Sequence, residues 1–247
     1  MKAATSFRVM ETRRVSVREG YALWAASYDR HPNPLLVLEE RTVASMLPGV
    51  LNRRVLDVAC GTGRWMTKLA GLGAESVFGL DLSPQMLARA EEKVSLRGRL
   101  AQADCRRIPI CSGTIDLVLC SFAAGYLGEL TGLIREISRI ARPRAEIFLS
   151  DVHPSFHRRG WKRAFRHGTQ VLEIENKRHS IAEIVHACQA SGLAVVDRAE
   201  PHWGTPEERI FQSAGKLRLY QESLDEPVIF VLRLRRSRCG EEGRMLG

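Results

Sequence analysis

The run Val55-Leu56-Asp57-Val58-Ala59-Cys60-Gly61-Thr62-Gly63-Arg64 passes from an apolar strand pattern through a glycine turn into a helix. Glycines at such a turn let a ligand approach the backbone, and the start of the following helix presents free N–H groups. A dinucleotide fingerprint requires a third glycine where Met66 stands, so the turn is not of that type. Two further acids end the next strand-like segments. Asp81, in Phe78-Gly79-Leu80-Asp81-Leu82-Ser83, stands where a carboxylate accepts hydrogen bonds from both hydroxyls of a ribose. Asp104, in Ala103-Asp104-Cys105, stands where a carboxylate accepts from an adenine amino group. With Asp57 just before the turn, acids at the ends of three successive strands describe a site for a nucleoside with an amino-acid-like appendage.

Downstream, His153 in Ser150-Asp151-Val152-His153-Pro154 follows the fifth predicted strand at the same end of the sheet. An imidazole titrates near neutrality and takes a proton from a hydroxyl or amine, so His153 is the candidate catalytic base; the alternative is a hydrogen-bonded loop histidine. The segment from His157 to Arg166 mixes cations with Trp161 and Phe165, which suits an acidic or aromatic substrate, or RNA. Arginine stems can equally cover the aromatic residues of a small lid while their charges stay in water. Residues 202 to 211, with His202, Trp203 and Phe211, are expected to form the opposite wall of the same pocket, and Tyr126 to touch the acceptor. Cys60, Trp65 and Met66 read as packing residues.

Alternating segments must position these groups. Strands are predicted at 54–58, 76–81, 100–103, 115–120 and 145–151, with helices at 62–71, 84–96 and 127–141 between them. Repeated βα units imply an α/β fold with a parallel sheet covered by helices on both faces. Ser180 and Glu183 have capping-box spacing before a helix through Cys188, and strands at 194–198 and 227–234 complete seven. Two amphipathic helices, 17–29 and 34–46, open the chain, parted by His31-Pro32-Asn33-Pro34. Residues 152–179 and 201–226 fit no alternation and are expected to project as lid segments. The organisation predicted is one domain: a helical cap over 1–50, a core over 51–151 and the two lid segments.

Composition bounds the class. The 247 residues are 45% hydrophobic and 26% charged, with 20 Gly and 10 Pro, which suits a chain with a full core and excludes disorder or a collagen-like rod. No apolar run approaches the ~18 residues of a membrane helix, and residues 1–18 lack a signal-peptide apolar stretch, so a soluble, cytoplasmic protein is expected. Six cysteines (Cys60, Cys105, Cys111, Cys120, Cys188 and Cys239) show no CxxC spacing, and neither a metal site nor a disulfide framework is predicted. The net charge of +9 is concentrated. Residues 1–18 hold five basic and one acidic residue, 156–179 seven and two, and 233–247 five and two, leaving the rest at −3. Such runs hold phosphates or simply keep a surface solvated.

Residues 20–152 resemble the class I S-adenosylmethionine-dependent methyltransferases, in particular small bacterial enzymes similar to the ubiquinone/menaquinone-biosynthesis type. The carriers are Tyr28-Asp29, Leu56 to Gly63, Asp81-Leu82-Ser83-Pro84-Gln85-Met86-Leu87, Ala103-Asp104 and Ile115-Asp116-Leu117-Val118. The resemblance implies a Rossmann-like, doubly wound sheet of seven mostly parallel strands, the last antiparallel, with N-terminal helices and a lid inserted after strand five. It also implies S-adenosylmethionine as cofactor and S-adenosylhomocysteine as product. Asp57 and the Gly61 and Gly63 backbone would hold the methionine end, Asp81 the ribose, Leu82 an adenine face, and Asp104 with the Cys105 amide the adenine edge. Ser121 would lie near the sulfonium and Tyr28 would close over the methionyl end; Ala59 and Met86 complete the implied set. One departure is visible: Arg142-Pro143-Arg144-Ala145 replaces the usual Lys-Pro-Gly-Gly turn.

The reading that follows is methyl transfer to an O, N or C nucleophile of a small, anionic or aromatic metabolite, with Tyr126, Trp161 and Trp203 as substrate contacts and no metal. Its rivals are an RNA-modifying methyltransferase that uses the basic arm, lid and tail, and a non-catalytic cofactor-binding subunit.

Overall fold

The computed structural model describes residues 11–30 and 32–237. Most of the N-terminal arm, most of the C-terminal tail, His31 and Cys239 therefore lie outside the described residues. In chain order the elements are β1 (Thr12–Val15), α1 (Val17–Trp24), α2 (Pro34–Met46), β2 (Arg54–Val58), α3 (Arg64–Gly71), β3 (Ser76–Asp81), α4 (Pro84–Glu91), β4 (Leu100–Gln102), β5 (Ile115–Ser121), α5 (Thr131–Ile140) and β6 (Ala141–Val152). There follow α6 (Pro154–Arg158), β7 (Ala164–His167), β8 (Gln170–Ile174), α7 (Ile181–Ala190), β9 (Leu193–Ala199), α8 (Thr205–Ser213), α9 (Leu217–Gln221) and β10 (Ile229–Arg236).

The main sheet has seven strands in the order β4-β3-β2-β5-β6-β10-β9. Its first five strands run parallel, and β10 is antiparallel to both β6 and β9. Strand order reverses between β2 and β5, and ligands of open α/β sheets bind outside the carboxyl ends at such a reversal. Side chains along β5 alternate between the two faces: Val118 and Cys120 pack into one apolar cluster with Leu133, Ile134 and Ile137 of α5, while Leu117 and Leu119 join Trp65, Met66 and Leu69 of α3. Each such buried aliphatic side chain contributes about 1.5–3 kcal/mol. In α5 the spacing of Leu133, Ile134, Ile137 and Ile140 puts all four on the buried stripe. The capping box of Ser180 and Glu183 forms at the start of α7.

Element ends shift from the linear pattern for local reasons. Helix α4 stops at Glu91 and the chain continues as a separate 3-10 turn over Val94–Leu96. Helix α1 stops at Trp24, and α5 starts only at Thr131 after a 3-10 turn over Ala124–Tyr126. Strand β6 starts early, at Ala141, and its pairing with β5 shifts register between Ile115 and Leu117. Arg144 there adopts φ +68°, the left-handed conformation that favours glycine, at a position where the resembled turn carries one.

Both expected lid segments carry structure of their own. The 152–179 segment forms α6, β7 and β8, and β8 pairs with both β7 and β1 in a second, three-stranded sheet. Part of the basic arm is thus an edge strand. Its residues Thr12 to Arg14 are exposed and only Val15 is buried, so the free edge of β8 dictates the strand more than any apolar pattern does. The 201–226 segment forms α8 and α9, which pack on the core: Trp203, Phe211 and Tyr220 are buried in one cluster with Leu35 and Leu38 of α2. No helix among the described residues is long and apolar enough to cross a membrane.

Candidate functional site

A cleft opens at the strand-order reversal, and its wall contains Asp57, Ala59, Gly61, Asp81, Leu82, Asp104, Cys105 and Ser121 from the strand ends, with Tyr28 and Tyr126. The turn after β2 is shaped by backbone conformation: Ala59 has φ +58°, Gly61 +56° and Gly63 +78°. Ala59 and Phe122 (φ +57°), at the ends of β2 and β5, are non-glycine residues in the left-handed region, each costing on the order of 1–3 kcal/mol and both lining the cleft. At Gly61 a Cβ would meet nothing within 4 Å, so the backbone faces open space there. Gly63 differs, because a Cβ would lie 2.4 Å from Leu96 Cδ1 and the residue is outside the cleft wall. It serves the turn and the packing of α3.

The acids are held in three ways. Asp81 Oδ2 accepts from the Gly61 amide at 2.9 Å and Oδ1 from the Ser83 amide at 2.8 Å, so the carboxylate is fixed at the end of β3 with lone pairs to spare. Burial raises its pKa against the pull of these amides. Asp57 is 3% exposed and no hydrogen bond reaches its carboxylate among the described residues. Burial foremost, with Glu39 and Asp81 adding to it and Arg64 opposing, pushes its pKa up to about 8. Asp104 is engaged by Arg106, whose Nη2 donates across 2.6 Å and whose backbone N–H donates across 2.9 Å, which together hold its pKa low.

An acid that the linear reading passed over organises the floor of the cleft. Glu39 of α2 is fully buried, and its carboxylate accepts from Arg64 Nη2 (2.6 Å), Trp65 Nε1 (3.1 Å), Ser121 Oγ (2.7 Å) and Ser150 Oγ (3.0 Å). Its signal was an acid on the apolar stripe of an amphipathic helix, beside Leu35 and Leu38. Asp29 ties the helical cap to the glycine turn: Thr62 Oγ1 donates to Oδ1 at 2.8 Å, and Lys93 Nζ donates to Oδ2 at 3.2 Å.

Beside the cleft lies a smaller chamber walled by aromatic residues. Tyr21, Tyr28, Leu36, Phe122 and Tyr126 line both spaces, and Trp24, Trp161 and Arg163 belong to the chamber. Arg163 is 7% exposed, pairs with Asp151, donates to the Phe122 carbonyl at 3.0 Å and sits 4.4 Å from the centre of the Tyr126 ring. Asp151 Oδ2 also accepts from the Gly125 amide at 2.7 Å, and a Cβ at Gly125 would lie 3.0 Å from Arg163 Nη2, so a side chain there would press on this pair. The linear reading counted Arg163 as one cation of a basic run; the structure buries it.

Several expected contacts are not brought together. His153 lines neither space; its Nδ1 accepts from the Ser155 amide at the start of α6 and its Nε2 meets Glu200 Oε2 at 2.7 Å. Burial lowers its pKa, with Glu200 opposing. Trp203 is 5% exposed, and its Nε1 donates to Ser223 Oγ at 3.0 Å inside the core. Met86 is buried in the first turn of α4 and absent from the cleft wall. Trp161 lines the chamber and not the cleft. Trp65 touches the cleft as well as the core. Burial foremost raises the Cys60 thiol, and pushes Cys105 up to about 11, so neither is a ready nucleophile.

Comparison with known proteins agrees with this geometry. A family model described as a methyltransferase domain matches residues 55–144. The demethylmenaquinone methyltransferase of Geobacillus kaustophilus is 33% identical over 97 residues, which are 37% of this chain and 42% of that protein. The malonyl-acyl-carrier-protein O-methyltransferase of Buchnera aphidicola is 28% identical over 173 residues, 70% of this chain and 68% of that one. Some curated relatives are thus matched over less than half their length. A crystal structure of an S-adenosylmethionine-dependent methyltransferase from Mesorhizobium loti shares the fold, with a TM-score of 0.65 at 22% identity over 83% of this chain and 100% of that one. With the glycine turn, the strand-end acids and the strand order in place, residues 55–144 match a methyltransferase domain, and the chain shares the fold of an S-adenosylmethionine-dependent methyltransferase.

Proposed function

We propose that the protein transfers the methyl group of S-adenosylmethionine to an oxygen, nitrogen or carbon atom of a small molecule held in the aromatic chamber. The observation that carries this reading is that Tyr21, Tyr28, Leu36, Phe122 and Tyr126 line both cleft and chamber, so that the two spaces adjoin and a donor in one would lie next to an acceptor in the other. A relative named for demethylmenaquinone supports an acceptor of small-molecule kind, and one named for malonyl-acyl-carrier protein supports a small acyl acceptor group borne on a carrier.

The residues present fit the cofactor. Asp57, a buried carboxylate without a partner among the described residues, suits the ammonium of the methionyl end, and the N–H groups opening α3 with Arg64 suit its carboxylate. Asp81 would take the ribose hydroxyls, Leu82 an adenine face, and Asp104, shared with Arg106, the adenine edge together with the Cys105 amide. When bound, the cofactor supplies a methyl group made electrophilic by its sulfonium. The chain's own task is alignment and exclusion of water, because an in-line displacement gains most from a fixed approach in a dry site. Tyr21, Tyr28 and Phe122 line both spaces and would shield the point where they meet from water. The phenols of Tyr21 and Tyr28 are raised above their ordinary values, chiefly by burial, so they donate hydrogen bonds and do not serve as bases. No histidine lines either space among the described residues, which suits an acceptor that ionises without help.

The test is incubation of the purified protein with methyl-labelled S-adenosylmethionine and an extract of its source cells, followed by size filtration with and without ribonuclease. Label in the small-molecule fraction supports the reading. Ribonuclease-sensitive label in the large fraction replaces it with RNA modification, and cofactor binding without any labelling replaces it with a non-catalytic subunit. Against RNA stand the ion pairs of the internal basic segment, where Arg159 is 2.8 Å from Glu226, Lys162 is 2.6 Å from Glu173 and Arg163 is paired with Asp151.

A further inference from the structure

The hydrogen-bond count inside the chamber is unbalanced in one direction. Tyr21 and Tyr126 place their phenol oxygens 2.6 Å apart. One hydrogen bond between two phenols consumes one of their two protons and leaves the other O–H without a partner among the described residues. Nearby, Arg163 Nε is buried and has no hydrogen-bond partner among the described residues. Guanidinium groups only donate, and this one lies over the Tyr126 ring, where its charge favours electron density on the phenol oxygens and on whatever they bind. Both spare hydrogens therefore seek an acceptor. The remaining wall is apolar or aromatic, with Trp24, Leu35, Leu36, Phe122, Val152 and Trp161, apart from the Tyr28 phenol and Asn33, whose Oδ1 already accepts from the Leu35 amide at 3.0 Å.

We propose that this chamber selects a planar, apolar acceptor through a conjugated carbonyl or carboxylate oxygen, which takes the spare O–H of the Tyr21–Tyr126 pair with the Arg163 guanidinium behind it. The inference rests on the methyltransferase reading and deepens it by naming what the second space reads. Tyr21 and Tyr126 are the specificity-determining residues, and Arg163 with Asp151 and Gly125 positions Tyr126. A buried donor left unmatched is costly, so an analogue that lacks the oxygen is discriminated against more strongly than its shape alone predicts.

The experiment is equilibrium dialysis of acetophenone and of ethylbenzene, which differ in the carbonyl oxygen, against the full chain saturated with S-adenosylhomocysteine. The wild type is expected to prefer acetophenone by about tenfold. Tyr21→Phe or Tyr126→Phe alone is expected to keep the preference, because the remaining phenol then has its proton free. The double variant is expected to lose it, to within about twofold, while still binding S-adenosylhomocysteine. Equal binding of the two probes by the wild type, or a preference that survives in the double variant, overturns the proposal. Failure of the wild type to bind S-adenosylhomocysteine at all would instead remove the methyltransferase reading on which it rests.

Discussion

Glu39 of α2 accepts a hydrogen bond from Ser121 of β5 across 2.7 Å, so an N-terminal helix and the strand next to the topological reversal meet in one buried carboxylate. The same carboxylate takes Arg64, Trp65 and Ser150, and so joins α2, α3, β5 and β6 beneath the cleft. A buried charge of this kind is tolerated because each lone pair has a donor and a guanidinium lies opposite.

Removing it should therefore be severe. Glu39→Ala leaves Arg64 without its main partner and three donors unmatched, with an expected loss of about 3–5 kcal/mol. That corresponds to a fall in melting temperature of at least about 6 °C. A thermal melt of the variant within about 2 °C of the wild type would contradict the central place given to this residue.

Asp81 should act mainly on the cofactor. Its carboxylate accepts two backbone amides at 2.9 and 2.8 Å, which Asp81→Ala forfeits at about 1–2 kcal/mol of stability. The lost ribose contacts should weaken S-adenosylhomocysteine binding by about 100-fold in calorimetry, since hydrogen bonds to a charged group are worth roughly 1.5–3 kcal/mol each. Unchanged affinity would show that the ribose lies elsewhere.

Asp57 makes a pH-dependent prediction. Its pKa is pushed up to about 8, while in the unfolded chain it is about 3.9. Between these values the folded protein keeps a proton that the unfolded chain has released, so this group's contribution to stability declines as pH rises through the window and levels off above it. A ligand ammonium beside the carboxylate favours the ionised form. Binding of S-adenosylhomocysteine near pH 6.5 should thus expel close to one proton, seen as a binding enthalpy that changes with the ionisation heat of the buffer. The dependence should vanish in Asp57→Asn; a buffer-independent enthalpy in the wild type would remove the ammonium assignment.

His153 is expected to matter for folding and not for chemistry. His153→Ala removes the acceptor at the start of α6 and the Glu200 contact, at a cost of about 1 kcal/mol, or about 2–4 °C in melting temperature. Because its pKa is lowered in the folded state, the unfolded chain binds the proton more readily. The wild type should therefore lose stability as pH falls below about 6.5, and the variant should lose less. Turnover with an identified acceptor should be unchanged, and a large fall in kcat would restore His153 as the base.

The parallel sheet was legible because its signals are local. Apolar runs of strand length alternating with 3.6-period segments mark βα units, and strands β2 and β3 span the residues that the pattern predicts. The three acids proposed to hold the cofactor were legible for the same reason: Asp57, Asp81 and Asp104 are placed by strand ends, and all three line the cleft. Helix ends were less legible, since the 3-10 turns at Val94–Leu96 and Ala124–Tyr126 depend on what the chain packs against.

Residue types near a strand end do not reveal which way their side chains face. His153 stands just past the sheet yet turns to Glu200, and Trp203 enters the core because burying its rings against Phe156 and Phe211 outweighs any place at a pocket mouth. Arg163 and Arg159 are indistinguishable as members of a basic run; one lies buried against Asp151 and the other lies at the surface against Glu226. Periodicity and strand-end chemistry, which act within a few residues, sufficed for the main sheet and for the acids that line the cleft. The aromatic chamber, the Glu39 floor and the Tyr21–Tyr126 pair depend on contacts between residues 82 to 111 positions apart, which come into being only when α1 and α2 dock on the sheet.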